Sequence, residues 1–216
     1  MSQKGDTRRQ CPFILASASP RRAALLREYD YEFDIVVAPL KEPERLADAT
    51  TPAELAEALS YFKARAVADG FQRGVVLGAD TVAALGGTIF GKPTGVEDAR
   101  RILQSLSGTR HEVITGVTLL DAESGKREIR HARTGVVMRP LSEKELNDYL
   151  ATGAWQGKAG AYGIQDYGDA FVERIEGSFT NVVGLPMELL TSMLDEWGIK
   201  PRLPDEDSNA DCGAAR

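Results

Sequence analysis

Cysteine and histidine are scarce in this chain, with two of each among 216 residues. Cys11 and Cys212 stand near opposite ends, and His111 and His131 show no ligand spacing, so neither a disulfide framework nor a zinc site is expected. The histidines read as strand or surface residues. Long apolar runs are also missing. Nothing approaches the roughly 20 residues needed to span a bilayer, and the polar start Met1 to Gln10 is not followed by a signal-like segment. A cytoplasmic protein without membrane attachment is the expectation. Basic charge is in deficit, with 26 Lys and Arg against 32 Asp and Glu and a net charge of −6. That balance argues against wholesale nucleic-acid binding, which needs a basic face, but is compatible with a small phosphorylated ligand in a locally basic pocket. Several phosphate and hydrolase patterns are absent too. There is no G-x-x-x-x-G-K-[ST], no G-x-G-x-x-G after a strand, no kinase catalytic loop and no G-x-S-x-G. A P-loop enzyme, a Rossmann dehydrogenase and an α/β hydrolase are therefore disfavoured.

What is present begins with Phe13-Ile14-Leu15-Ala16, an apolar run suited to a buried strand, which leads into Ser17-Ala18-Ser19-Pro20-Arg21-Arg22. Ser19 suits an N-cap and Pro20 the first helical position. Free amides at a helix N-terminus favour phosphate or carboxylate, and Ser17 and Ser19 add hydroxyl donors. Arg21 and Arg22 oppose the helix dipole in its first turn unless an anion compensates them, and guanidinium binds phosphate in bidentate fashion. A capped surface helix with solvated arginines is the alternative reading of the same residues.

The remaining chain alternates strand and helix patterns, which predicts an α/β fold in one globular unit. Strands are expected over 33–37, 75–79, 83–85, 88–90, 111–122, 127–139 and 169–175. Thr51-Pro52-Ala53-Glu54 reads as a capping box opening a helix to about Asp69. Thr94-Gly95-Val96-Glu97 and Ser142-Glu143-Lys144-Glu145 read as two further boxes. Gly86-Gly87 marks a tight hairpin, and residues 153–168 form a glycine-rich loop able to approach a ligand closely. A last helix is expected over 186–197.

Chemistry-bearing residues fall at the ends of these elements. Asp80 follows the apolar run Val75 to Ala79, where it suits either a turn or the ligand edge of an open sheet. Lys92 is held between Gly91 and Pro93. Lys63 lies within an amphipathic helix, where most lysines snorkel to water.

Taken together, these residues resemble the Maf proteins. The resemblance is carried in chain order by Ser17 to Arg22, Gly78-Ala79-Asp80-Thr81-Val82, Gly91-Lys92-Pro93, Ser107-Gly108 with His111-Glu112-Val113, Lys158 to Gln165, and Asn181 to Pro186. It covers about Phe13 to Gly198. It implies an elongated mixed sheet flanked by helices, related to the inosine triphosphate pyrophosphatases, with a ligand cleft between two lobes. Residues 12–199 would form one catalytic domain, between a flexible extension over 1–11 and a disordered tail over 200–216. The implied activity is nucleoside triphosphate hydrolysis between the α and β phosphates, giving a monophosphate and pyrophosphate. Arg21, Thr81 and Gln165 match the subclass acting on dTTP and UTP, with CTP and modified pyrimidines as further substrates. The subclass acting on 7-methyl-GTP tends to carry glutamate in place of this glutamine. A neutral amide offers a pyrimidine edge both a donor and an acceptor.

The resemblance further implies Mg²⁺ or Mn²⁺, with Asp80 and Glu42 as the carboxylates. Asp80 would accept the attacking water's proton, while Arg21, Arg22, Lys63 and Lys92 neutralise phosphate charge. A homodimer is also implied, with no face for it legible. Pro39-Leu40-Lys41-Glu42-Pro43 departs from the family's usual acid cluster, and Asp166 stands where glycine is usual. Trp155 reads either as a base-stacking residue or as packing. A nucleotide-binding regulator linked to septum formation or cell division, without turnover, is the alternative function.

Overall fold

A computed structural model describes residues 12–37, 51–165 and 170–202. The expected extension over 1–11, both cysteines, Glu42, Asp166 and residues 203–216 lie outside them. A seven-stranded sheet forms the centre, built from β1 (Phe13–Leu15), β2 (Asp34–Ile35), β3 (Val75–Leu85), β4 (Thr88–Phe90), β5 (Arg110–Asp121), β6 (Arg127–Met138) and β7 (Val172–Glu176). The order is β2-β1-β3-β5-β6-β7, with β4 paired to β3. β1 runs parallel to β2 and β3, and every other pairing is antiparallel. The helices are α1 (Pro20–Glu28), α2 (Pro52–Ala68), α3 (Val96–Leu106), α4 (Glu143–Ala151), α5 (Phe179–Val183) and α6 (Met187–Glu196). None of the described helices is long and apolar enough to cross a membrane.

Local chemistry sets most of the boundaries. Ser19 caps α1 with Pro20 in its first turn, and Thr51–Glu54 and Ser142–Glu145 both form reciprocal capping boxes. The box expected at Thr94 does not form. Gly95 is the N-cap of α3, and Asp98 instead accepts hydrogen bonds from the amide and hydroxyl of Thr94. With Gly95 as N-cap the helix starts one residue later, so Asp98 rather than Glu97 stands in the third helical position and its carboxylate reaches back to Thr94.

One difference from the sequence-based expectation creates the site. β3 does not stop at Ala79 but continues through Asp80 to Leu85, because Val82, Ala83 and Ala84 remain apolar and pair with β5. β1 stops at Leu15, pairing only with Val75 to Leu77, and β4 rejoins β3 at Ala83. Between those registers the flank of β3 opposite β5 has no strand partner among the described residues. Side chains alternate along β3, so Asp80 and Val82 face α2 while Thr81 and Ala83 face the other helices.

On that second face two cores flank the gap. One joins Leu15, Leu25, Leu26, Leu77, Ala79, Val117 and Leu190 under α1 and α6. The other joins Ala83, Ile102, Leu106, Val113, Leu146, Tyr149 and Tyr162 under α3 and α4. These are the two lobes. α2 covers the opposite face at backbone contact distance. A Cβ on Gly78 would stand 2.2 Å from the Ser60 carbonyl oxygen, and one on Gly116 would stand 2.2 Å from that of Ala56. Glycine at both positions is what lets the helix lie on the sheet.

Candidate functional site

A cleft of about 510 Å³ opens over the gap in β3, within the range of about 300–1,000 Å³ common for small-molecule sites. The α1 side contributes Ser17, Ser19, Arg21 and Arg22, α2 contributes Lys63, and β3 contributes Asp80 and Thr81. Lys92 enters from the loop after β4, and Lys158 and Gln165 from the segment before β7. Ala83, Val113, Tyr162, Ile164 and Val182 give part of the wall an apolar character.

Asp80 is buried, and its carboxylate receives a hydrogen bond from the Lys63 ammonium at 2.5 Å. The glycine-mediated approach of α2 permits this meeting, since a helix standing further from the sheet would hold Lys63 out of reach. A buried carboxylate needs such a partner.

The two arginines of the helix start diverge in role. Arg22 is buried and turned inward. Its guanidinium donates to the carbonyl oxygens of Gly184 and Ala79, each at 2.8 Å, to Ser17 Oγ at 3.3 Å and to Thr81 Oγ1 at 3.0 Å. Ala79 lies on the flank of β3 that β1 has left, so Arg22 supplies a donor where the next strand would have done so. Arg21 is half-buried in the cleft wall, and its side chain makes no hydrogen bond or ion pair among the described residues. Of the pair, Arg21 is the guanidinium available to an anion.

The hydroxyls are ordered by the same contacts. Ser17 Oγ accepts from the Ser19 amide and from Arg22, so its own proton remains for donation. Thr115 Oγ1 donates to the Asn181 carbonyl at 3.3 Å, which makes Thr81 the donor in the 2.9 Å Thr81–Thr115 bond. Thr81 thus accepts from Arg22 and donates to Thr115, keeping only acceptor capacity toward the cleft.

Comparison with known proteins bears on this arrangement. A family model described as Maf-like protein matches residues 12–197. The chain belongs to the Maf family. It is 44% identical over 185 residues to a dTTP/UTP pyrophosphatase of Pelotomaculum thermopropionicum, covering 86% of this chain and 96% of that relative. To the dTTP/UTP pyrophosphatase of Salinibacter ruber it is 46% identical over 181 residues, covering 83% and 88%. A solved HAM1 protein from Coxiella burnetii aligns with 86% of the chain at 16% identity and a TM-score of 0.46, too loose a likeness to transfer any residue.

In this Maf chain, every sequence-predicted site residue among the described ones lines this one cleft, and Glu42 lies outside the described residues. Trp155 does not line it. The indole packs beside the second core and donates to the Leu150 carbonyl at 3.1 Å, which makes it a packing residue. Sequence reasoning passed over Lys158 and Tyr162 as site residues. Lys158 is buried, and its side chain crosses Gly163 so closely that a Cβ there would meet it at 2.9 Å. The signal was present, since both belong to the run that ends at Gln165.

His111, read only as a strand or surface residue, is a buried strand residue whose Nε2 lies 2.8 Å from the Tyr162 hydroxyl. Burial pushes the imidazole down to about 4, so it is neutral at pH 7, and pushes the Tyr162 phenol up. The donors suit a hard cation in one limited way. Among the described residues no cluster of three His, Cys, Asp or Glu side chains could hold a metal, but Asp80 offers one carboxylate in the cleft. Mg²⁺ bound largely by substrate phosphates needs only one or two.

Proposed function

We propose that this Maf protein is a nucleoside triphosphate pyrophosphatase acting on dTTP and UTP. The observation that carries the reading is one cleft combining Arg21, Lys63, Lys92 and Lys158 with the buried carboxylate of Asp80, and an apolar wall ending at Gln165. Such a lining matches a ligand with a strongly anionic part and a flat, weakly polar part. The curated relatives' shared description as dTTP/UTP pyrophosphatases supports the substrate class.

In this reading the triphosphate lies against the N-terminus of α1, where free amides, the Ser17 hydroxyl and Arg21 donate to its oxygens. Lys92 and Lys63 spread positive charge over the α–β bridge and the departing pyrophosphate. Asp80 orients a water molecule and accepts its proton as the water oxygen bonds to phosphorus. The bridging P–O bond breaks, its electron pair leaves on pyrophosphate, and the nucleoside monophosphate remains. Lys63 balances the Asp80 charge, which the triphosphate would otherwise repel. A divalent cation would be held by Asp80 together with phosphate oxygens, and when bound it supplies further charge neutralisation. Positioning and electrostatics are the main resources for phosphoryl transfer. Arg22 serves by holding Ser17 and Thr81 in place, and Gln165 meets the base edge. Residues 12–199 form the catalytic unit.

Product analysis tests the reading. With UTP and Mg²⁺ or Mn²⁺, equal amounts of UMP and pyrophosphate are expected. UDP with orthophosphate, or saturable binding without any product, would contradict it, the latter in favour of a regulatory role.

A further inference from the structure

The segment carrying Gln165 is entered through a strained turn. Gly160 and Ala161 both adopt left-handed backbone, with φ of 70° and 62°, and alanine pays for that conformation as glycine does not. Such a turn persists only where its surroundings hold it. Three bonds do so. The Gly160 amide donates to the Gly91 carbonyl at 3.2 Å, beside Lys92. The Tyr149 hydroxyl donates to the Ala161 carbonyl at 3.2 Å. The Tyr162 hydroxyl meets His111 Nε2 at 2.8 Å, with the two rings edge to face at 5.6 Å.

The third bond is unlike the others. Its tyrosine lines the cleft three residues before Gln165, and its histidine stands on β5, buried and not part of the cleft lining. Stability alone does not call for it. His111 Nδ1 is buried with no hydrogen-bond partner among the described residues, in surroundings where phenylalanine against phenylalanine would pack without an unmatched polar atom. A directional bond, however, fixes the depth and rotation of the Tyr162 ring, which apolar contact does not.

We propose that His111 is a positioning residue for base selection: through the Tyr162 hydroxyl it fixes the segment that presents Gln165 to the nucleobase. The proposal rests on the pyrophosphatase reading for the identity of the ligand. The phosphate-binding groups of α1, α2 and β3 do not depend on this bond, and of the cleft cations only Lys158 shares the segment, with Lys92 tied to it through Gly91, so its loss acts chiefly on the base and far less on the triphosphate.

The test compares His111→Phe, His111→Gln and Tyr162→Phe with the parent chain. Tyr162→Phe removes a single oxygen and keeps the test decisive where His111→Phe fails to fold. Turnover of dTTP and dATP, inhibition by inorganic tripolyphosphate, and equilibrium binding of both nucleotides are measured. His111→Phe and Tyr162→Phe are expected to raise KM for dTTP about tenfold with kcat within about twofold. The dTTP preference over dATP should shrink, and tripolyphosphate inhibition should stay within about twofold of the parent's. His111→Gln, whose amide can offer the Tyr162 hydroxyl either a donor or an acceptor in place of Nε2, restores the preference. A preference retained by both Phe variants, or equal weakening of dTTP and tripolyphosphate, overturns the proposal. A parent chain that binds dTTP and dATP equally overturns it as well. A parent chain that releases no pyrophosphate refutes the enzymatic reading alone. In that case a binding preference lost in the Phe variants upholds the role of His111, and one retained overturns it.

Discussion

Lys63 of α2, half-buried, and Asp80 of β3, buried, form an ion pair in the cleft, 17 residues apart in sequence and 2.5 Å apart in space. The pair links the helix position to the chemistry, and removing one partner strands the other. Lys63→Met is expected to cost about 3 kcal/mol of stability by leaving Asp80 buried and unpaired. Adding Asp80→Asn should recover much of that loss while activity stays abolished. Urea titrations of the two variants, run beside turnover assays, check both halves.

Gly78 is, with Gly116, one of the two glycines that let the pair form. A methyl group there would meet backbone at 2.2 Å, and the carbonyl of a helix cannot rotate away as a side chain would. Gly78→Ala should therefore lift α2 from the sheet, costing about 3 kcal/mol, and lower kcat by moving Lys63. A variant with normal melting temperature and turnover would show that α2 yields without cost.

Arg21 and Arg22 are adjacent in sequence and opposite in duty. Arg22→Ala leaves the Ala79 and Gly184 carbonyls without their donor and should destabilise the fold by at least about 3 kcal/mol. Arg22→Lys should rescue little, because one ammonium cannot span four acceptors. Arg21→Ala should change stability by less than about 0.5 kcal/mol while raising KM for the triphosphate and weakening its salt dependence. Thermal melts and KM at two salt concentrations separate the two roles.

The sequence made the element types and most of the polar lining of the cleft legible, because capping chemistry and short polar motifs are local. The Thr51 and Ser142 boxes formed as expected, and Ser17, Lys63, Asp80 and Lys92 converged. The length of β3 was misjudged because a carboxylate after an apolar run looks like a strand end. Its place inside the strand depends on β1 ending at Leu15, a pairing property that β3 does not encode alone. α5 was missed because it has only five residues, held by Asn181, whose amide donates to the Val113 carbonyl and Thr134 Oγ1. The inward turn of Arg22 was equally hidden, since its acceptors at Ala79 and Gly184 lie far away in the chain.

The buried imidazole gives stability a defined pH dependence. Its folded value of about 4 lies below the unfolded value of 6.5, so the unfolded chain binds the extra proton between them. The contribution is present above pH 6.5 and lost as pH falls toward 4. From pH 7 to pH 5 the parent chain should lose about 2 kcal/mol more than His111→Phe. Denaturant unfolding of both proteins at several pH values measures the difference, and parallel curves would place the imidazole outside the titration.

Pyrophosphate release from a panel of canonical and modified nucleoside triphosphates, with Mg²⁺ or Mn²⁺ and an Asp80→Asn control, tests the central claim most directly. Selective release from dTTP and UTP is predicted, reduced at least about 100-fold in the control while its fold and nucleotide binding persist. Near-normal turnover by the folded control would remove Asp80 from the reaction, and saturable binding without turnover across the panel would contradict the pyrophosphatase itself.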